Sequence, residues 1–261
     1  MGKITLDTIT SKNNQLIKDT KKLLTSSRTR QENRAFVLEG ARLCFDVLNS
    51  VYRVKLLLIT ESAYEKYSYK ADKIIDLAEG AYFITDDIAK KLTDTVAAQG
   101  IFAVCKMCEH EQKIRGSKLI ALDNVQDPSN VGAIIRTGEA LGIDCIITYN
   151  CCDIFNPKTL RASMGSILRI NIVDTDNLEN TLIQLKKNYK IYSTVPDSKA
   201  EKITDIDFNA NSICVIGNEA NGVEDNIKKV SDALTTIPML GRAESLNASV
   251  AASITMWEML R

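Results

Sequence analysis

Leu122-Asp-Asn-Val-Gln-Asp-Pro-Ser-Asn-Val-Gly-Ala-Ile-Ile-Arg-Thr-Gly-Glu-Ala-Leu-Gly142 is the stretch on which the fold turns. An apolar run, Leu119–Leu122, enters it as a strand and Pro128 turns the chain. Apolar and small residues then recur at helical spacing, at Val131, Ile134, Ile135, Gly138 and Leu141. Asn130 stands where the N-cap of that helix is expected. The next apolar run, Cys145–Thr148, is strand-sized, so the unit reads strand, helix, strand and calls for a crossover and a parallel sheet. Arg136 falls outside the buried stripe, roughly a turn and a half into the helix, so its guanidinium can project into the cleft above the sheet. Taken alone, Asn130 is equally well a plain cap and Arg136 a surface charge.

The same alternation runs outward in both directions. Downstream come a helix at Leu160–Gly165, a strand at Ile170–Val173, a helix at Leu178–Lys187 and strands at Lys190–Thr194 and Ile213–Gly217. A helix at Val223–Val230, a strand at Thr235–Met239 and a closing helix from Ser245 to Leu260 complete the chain. Upstream, residues 11–25 read as an amphipathic helix, with Ser11 as a cap candidate and Leu16, Thr20, Leu23 and Leu24 on one face. A polar stretch, Ser26–Arg34, follows it. Strands are then expected at Ala35–Leu38, Val54–Thr60, Ala81–Ile84 and Gly100–Lys106, with helices at Ala41–Leu48, Ala63–Ala78 and Asp86–Leu92 between them. Polar, aperiodic residues 109–117 form the linker. The expectation is therefore two three-layer α/β domains, at 1–108 and 118–261.

Composition narrows the chemistry. The chain has one histidine, His110, in the expected linker, which makes Ser-His-Asp, Cys-His and multi-histidine metal sites improbable. Seven cysteines without an export pattern argue against a disulfide framework. Cys105-Lys-Met-Cys108 lacks a second ligand pair at zinc spacing, so no metal is expected. Neither a dinucleotide-binding G-x-G-x-x-G nor a P-loop occurs. No apolar run reaches membrane length and no secretory signal is seen, so the expected location is cytoplasmic. Net charge is zero, yet residues 1–60 carry 11 Lys/Arg against 5 Asp/Glu. A basic segment attached to an acidic body suggests an end that binds a polyanion, although a solvated helix face looks similar.

Two further loops carry a signal. In Cys214-Val-Ile-Gly-Asn-Glu-Ala-Asn-Gly222 a strand runs into a turn bounded by Gly217 and Gly222, with Glu219 between them. Glycines there let backbone approach a ligand at a strand's carboxyl end. In Ile237-Pro-Met-Leu-Gly-Arg-Ala-Glu-Ser-Leu-Asn-Ala-Ser249 a strand passes through Gly241 into a helix rich in small residues, with Ser245 as a cap candidate. Jointly, the three segments resemble the signature motifs of the SpoU (TrmH) family of SPOUT RNA methyltransferases. Asn130, Gly132 and Arg136 match the first motif, Gly217, Glu219 and Gly222 the second, and Ser245, Leu246, Asn247 and Ser249 the third. Phe36-Val-Leu-Glu-Gly-Ala-Arg-Leu43 and Ala98-Gln-Gly-Ile101 resemble landmarks of the family's substrate-binding module, itself similar to ribosomal proteins that bind kinked RNA.

The resemblance implies a C-terminal domain closed by a deep trefoil knot and a homodimer through that domain. It also implies S-adenosylmethionine-dependent methylation of a ribose 2′-hydroxyl in structured RNA, with ribosomal RNA favoured over transfer RNA. Arg136 would face the ribose, and Asn130, Glu219, Ser245 and Asn247 would hold the arginine, the loops and the RNA. The cofactor would meet Thr194, Val195, Pro196, Ile216, Gly217, Asn218, Gly222, Ile237, Met239, Leu246 and Ser249. RNA contacts are expected from Lys12, Lys21, Lys22, Arg28, Arg30 and Arg34, with Arg161 added. Because an arginine side chain ordinarily stays protonated, Arg136 would be an electrostatic stabiliser, or a base only after strong perturbation.

Overall fold

The computed structural model describes residues 6–93, 98–107 and 113–261. His110, Cys108 and part of the expected linker lie outside these residues. Two compact units divide the chain, one within Met1–His110 and Phe155–Leu168, the other within Glu111–Ile154 and Arg169–Arg261.

The first unit contains β1 (Thr8–Ile9), α1 (Gln15–Thr25), α2 (Ser27–Asn33), β2 (Ala35–Glu39), α3 (Ala41–Asp46), β3 (Arg53–Ile59), α4 (Glu61–Leu77), β4 (Ala81–Ile84), α5 (Asp86–Leu92) and β5 (Ile101–Lys106). Its sheet runs β1-β4-β3-β5-β2, parallel among the first three strands, with β5 antiparallel to both neighbours. Strand residues alternate between faces. Val37, Leu56, Leu58, Phe102 and Val104 pack against Ile17, Leu23, Leu24, Ile88 and Leu92 of α1 and α5. The opposite face, with Phe36, Leu38, Leu57 and Ile59, is buried on the side of α3 and α4.

Two local expectations are corrected here. The cap of α1 is Asn14, whose side chain accepts the Leu16 amide, while Ser11 instead accepts the amide of Asn13. The polar stretch after α1 is a helix, α2, capped by Ser26 and ended by Arg34 in a left-handed conformation at φ 45°. Its inward residue is not apolar: Arg30 is 2% exposed, and its guanidinium donates to the Leu23 carbonyl at 2.6 Å.

The second unit contains β6 (Lys118–Asp123), α6 (Pro128–Leu141), β7 (Cys145–Tyr149), β8 (Asn171–Asp174), α8 (Leu178–Leu185), β9 (Lys190–Thr194), β10 (Glu201–Lys202), β11 (Ser212–Ile216), α9 (Asp225–Val230), β12 (Ala233–Thr236) and α10 (Ala248–Leu260). Its seven strands run β10-β12-β9-β11-β6-β7-β8, every pair parallel. Such a sheet needs helices on both faces. Leu178, Leu182 and Ile227 of α8 and α9 cover one side, together with Leu119, Ile147, Ile213 and Val215, and α6 and α10 pack together on the other. Gly138 of α6 permits this: a methyl there would stand 3.3 to 3.5 Å from Ile146, Ile170 and Met256.

Helix α7 (Pro157–Ser163) falls between β7 and β8 in sequence but packs in the first unit. Phe155, just before it, stacks on Phe36 at 4.4 Å, and Arg161 reaches Glu39.

Candidate active site

Three chain segments meet at the carboxyl ends of β9, β11 and β12. Such ends are where open α/β sheets take ligands. The cavity there has a volume of about 530 Å³ and is lined by Thr194–Asp197, Ile216–Val223, Lys228, Leu234, Thr236, Ile237, Met239, Glu244–Leu246, Ala248 and Ala251. Of the residues expected to hold the cofactor, Thr194, Val195, Pro196, Ile216, Gly217, Asn218, Gly222, Ile237, Met239 and Leu246 line it. Ser249 does not; its hydroxyl is turned to the Asn247 side chain at 2.7 Å.

The middle segment is a tightly closed loop. Asn218 and Gly222 exchange two backbone hydrogen bonds, at 3.1 and 2.9 Å. The Asn218 side-chain oxygen accepts the amides of Ala220 and Asn221, and its nitrogen donates to the Asn124 carbonyl at 2.7 Å, which ties the loop to the end of β6. Gly222 has φ +68°, a conformation glycine adopts without cost. Gly217 has a different reason to be glycine: a methyl there would lie 2.1 Å from the Gly222 carbonyl carbon.

The motif side chains form a chain of hydrogen bonds. The Asn247 amide donates to the Asn130 side-chain oxygen at 3.0 Å, and the Asn130 amide donates to Glu219 at 2.5 Å. Asn130 is buried within α6, not at its cap; Asp127 caps the helix through the Ser129 amide, and Pro128 occupies the first turn. Asn247 also caps α10, through the amides of Ser249 and Val250, a role expected for Ser245. Ser245 is exposed and lines the cavity, as does Glu219. Arg136 is exposed on α6, is not among the residues lining the cavity, and has no hydrogen bond or ion pair among the described residues.

Asp197 and Glu244 of the cavity wall, and Asp123, lie outside the motif and cofactor positions. Asp123, at the end of β6, is fully buried; one carboxylate oxygen accepts the Glu224 amide at 2.7 Å, and the other has no partner. Burial pushes its carboxyl above the usual range, opposed by that hydrogen bond. It follows an apolar strand, and nothing local marks it as inward-facing. Lys228 of α9 and Thr236 of β12, also in the cavity wall, lie outside the three motifs.

The basic residues of the first unit fare unevenly. Arg30 is withdrawn from the RNA-binding set, because its buried guanidinium is committed to Leu23. Arg28 pairs with Glu32 at 2.7 Å, Lys12 with Asp87 at 3.6 Å and Arg161 with Glu39 at 3.4 Å. Lys21 reaches the Leu92 carbonyl at 3.3 Å, while Lys22 and Arg34 are exposed.

The chemistry of the lining suits S-adenosylmethionine. The cavity is within the roughly 300–1,000 Å³ of small-molecule sites. Leu234, Ile237, Met239 and Leu246 offer apolar surface for a flat base, the loop backbones offer amides and carbonyls, and Glu219 and Glu244 offer negative charge to a sulfonium. No cluster of three potential metal ligands occurs among the described residues. Fold and site thus define a protein with a small-molecule cavity at the carboxyl edge of a parallel α/β sheet and a second α/β unit in the same chain.

Comparison with known proteins makes the class specific. The SpoU rRNA Methylase family matches residues 117–257, and an MRM3-like substrate binding domain matches residues 14–103. The 23S rRNA (guanosine(2553)-2′-O)-methyltransferase RlmP of Bacillus subtilis is 33% identical over 96% of this chain and 98% of its own. The 23S rRNA (guanosine-2′-O-)-methyltransferase RlmB of Acinetobacter baylyi is 31% identical over 74% of this chain and 84% of its own. The AdoMet-bound rRNA methyltransferase of Sinorhizobium meliloti superposes with a TM-score of 0.85 at 27% identity, covering 97% of each chain. The chain belongs to the SpoU methylase family, and it is an S-adenosylmethionine-dependent RNA ribose-2′-O-methyltransferase.

Proposed function

We propose that the target is ribosomal RNA, and that Arg136 acts on the ribose 2′-hydroxyl while the Asn247–Asn130–Glu219 chain holds the three motif loops in register. The observation that carries the reading is that hydrogen-bond chain: it joins residues from all three motifs and ends on Glu219, in the cavity wall. The names of the relatives from Bacillus subtilis and Acinetobacter baylyi favour a 23S rRNA guanosine.

When bound, S-adenosylmethionine supplies a methyl carbon made electrophilic by its sulfonium. The chain's own residues do the rest. Gly217 and Gly222 bring the loop backbone close to the ligand, and Leu234, Ile237, Met239 and Leu246 provide a dry wall. Arg136, with no carboxylate partner among the described residues, is available to stabilise the negative charge that grows on the 2′-oxygen as its proton passes to solvent. Fixing nucleophile and acceptor against each other supplies much of the acceleration. Ser245 and Asn247, at the mouth of the third loop, position the RNA.

The enzyme acts as a homodimer through its second unit, in the cytoplasm. Val250, Trp257 and Leu260 support the dimer: all three are exposed on α10, Trp257 at 58%, an unusual apolar stripe for solvent. Among the described residues no helix is long and apolar enough to cross a membrane.

The deciding experiment maps ribose 2′-O-methyls in total RNA from a deletion strain and its parent. One ribosomal position should lose its methyl and regain it with the wild-type gene but not with Arg136→Ala. A mark lost from transfer RNA instead, with ribosomal RNA unchanged, refutes the target.

A further inference from the structure

Helix α4 carries a surface that the reading of the first 60 residues leaves out. Lys70 and Lys73 stand at i and i+3, about 60° apart on the helix, and Lys66 precedes them across a break in the helical geometry at Tyr67 (φ −124°, ψ 17°). All three are exposed. None makes an ion pair with a carboxylate among the described residues. Of the acids after that break, Asp76 stands at i+3 from Lys73, about 60° away, with no ion pair between them among the described residues. Asp72 is occupied with the Tyr64 hydroxyl at 2.8 Å.

The lysines are interleaved with aromatic rings. Lys73 lies 4.5 Å from the ring centre of Tyr69, Lys66 lies 5.2 Å from Tyr67, and Lys70 lies 5.5 Å from Phe45 of α3. These contacts fall within the roughly 6 Å over which a ring face attracts a cation. They hold each ammonium beside the helix without neutralising it. Tyr69 is 65% exposed on the same side, an uncommon position for a ring that could be buried. In the basic segment at 12–34, by comparison, Lys12 and Arg28 face carboxylates, Lys21 reaches a carbonyl and Arg30 is buried, while Lys18 and Lys22 are exposed.

We propose that the Lys66–Tyr69–Lys70–Lys73 face of α4 is an RNA contact surface, in which the ammoniums take successive phosphates and Tyr69 stacks on an unpaired base. Exposed lysines without carboxylate partners among the described residues match the charge of a nucleic-acid backbone, and an exposed ring between them matches the flat face of a splayed base. The proposal rests on RNA being the substrate and adds where the first unit grips it.

The test uses the full-length enzyme and an unmodified in vitro transcript of Bacillus subtilis 23S rRNA. Binding is read by filter retention across a salt series. Lys66→Ala/Lys70→Ala/Lys73→Ala together should flatten the log–log salt slope by about 2, at roughly 0.7 per lost contact to single strands. If the curves converge near 1 M salt, that slope is a loss on the order of 50-fold in affinity near 0.15 M. Tyr69→Ala should weaken binding by about 5- to 100-fold with the slope unchanged, since stacking releases no ions. Lys66→Arg/Lys70→Arg/Lys73→Arg should keep the wild-type slope. S-adenosylmethionine affinity and melting temperature, measured on the same proteins, should match wild type, which separates the effect from misfolding. A wild-type slope and affinity in the triple alanine variant overturns the proposal and leaves the ribosomal reading standing. Failure of the wild-type enzyme to bind the transcript removes both. A variant that binds RNA normally but no longer captures an acidic peptide would assign the face to a protein partner, also against the proposal.

Discussion

Gly217→Ala is the sharpest perturbation the site offers, because its cost can be worked from distances. The new methyl would stand 2.1 Å from the Gly222 carbonyl carbon and 2.2 Å from the Val223 nitrogen. Non-bonded carbons rest at about 3.5–4.0 Å, so the loop must open by well over 1 Å. The obstructing atoms are backbone and cannot rotate away. Opening the loop strains the two Asn218–Gly222 hydrogen bonds and the Asn218 bond to Asn124. Overpacking costs about 1–3 kcal/mol, and each of the three lost hydrogen bonds about 1 kcal/mol, so a total near 4–6 kcal/mol is expected. At roughly 2–4 °C per kcal/mol, melting should fall by about 8–24 °C. Displaced loop backbone should also weaken S-adenosylmethionine binding by on the order of 100-fold, equivalent to about 3 kcal/mol. Gly222→Ala is the internal control. Its methyl meets nothing within 4 Å, and only the strain of φ +68° remains, about 1–2 kcal/mol. Scanning fluorimetry and titration calorimetry on both variants test the ranking. A Gly217→Ala protein that melts within about 2 °C of wild type and keeps its affinity would refute the claim that this approach is rigid.

Arg136→Ala should abolish methyl transfer in a tritiated-methyl assay while cofactor affinity stays within a few-fold, since Arg136 is not in the cavity wall; activity near wild type would remove it from the chemistry. Asp123→Asn should be at least as stable as wild type at pH 7–8. Burial raises the native carboxyl's pKa, so folding is disfavoured by the buried charge above that pKa, and the penalty is recovered as pH falls through it. The variant's advantage in melting temperature should therefore shrink with acidification, and an advantage that grew instead would reverse the sign. Trp257→Glu should sediment as a monomer at micromolar concentration, because a charge would replace an apolar ring 58% exposed on α10; an unchanged dimer would place the interface elsewhere.

The alternation of strands and helices was legible because it rests on local periodicity, and the second unit's order follows it closely from β6 to α10. What escaped had no local signal. Strands β1 and β10 are two residues each, too short for a period. Helix α2 hid because its buried position is Arg30, which satisfies a carbonyl instead of joining an apolar stripe. The packing of Phe155–Leu168 in the first unit depends on Phe155 meeting Phe36, 119 positions earlier, and no pattern around α7 announces that contact.

The misplaced cap shows most about how the site works. Reading Asn130 as the N-cap of α6 assigns its side-chain oxygen to an amide of its own helix. The Asp127-Pro128 pair already carries a cap signal, since aspartate accepts a helix amide and proline suits the first turn, where no amide partner is needed. With Asp127 in that role, Asn130 moves one turn inward and is buried, and both ends of its amide are free for other elements. Its oxygen takes the Asn247 amide and its nitrogen gives to Glu219. An aspartate at 130 could accept from Asn247 but would set a second carboxylate against Glu219, and a leucine could do neither. Only a side chain that donates and accepts at once can stand between an amide and a carboxylate here. The identity of residue 130 is thus set by the two loops it joins, not by the helix it belongs to.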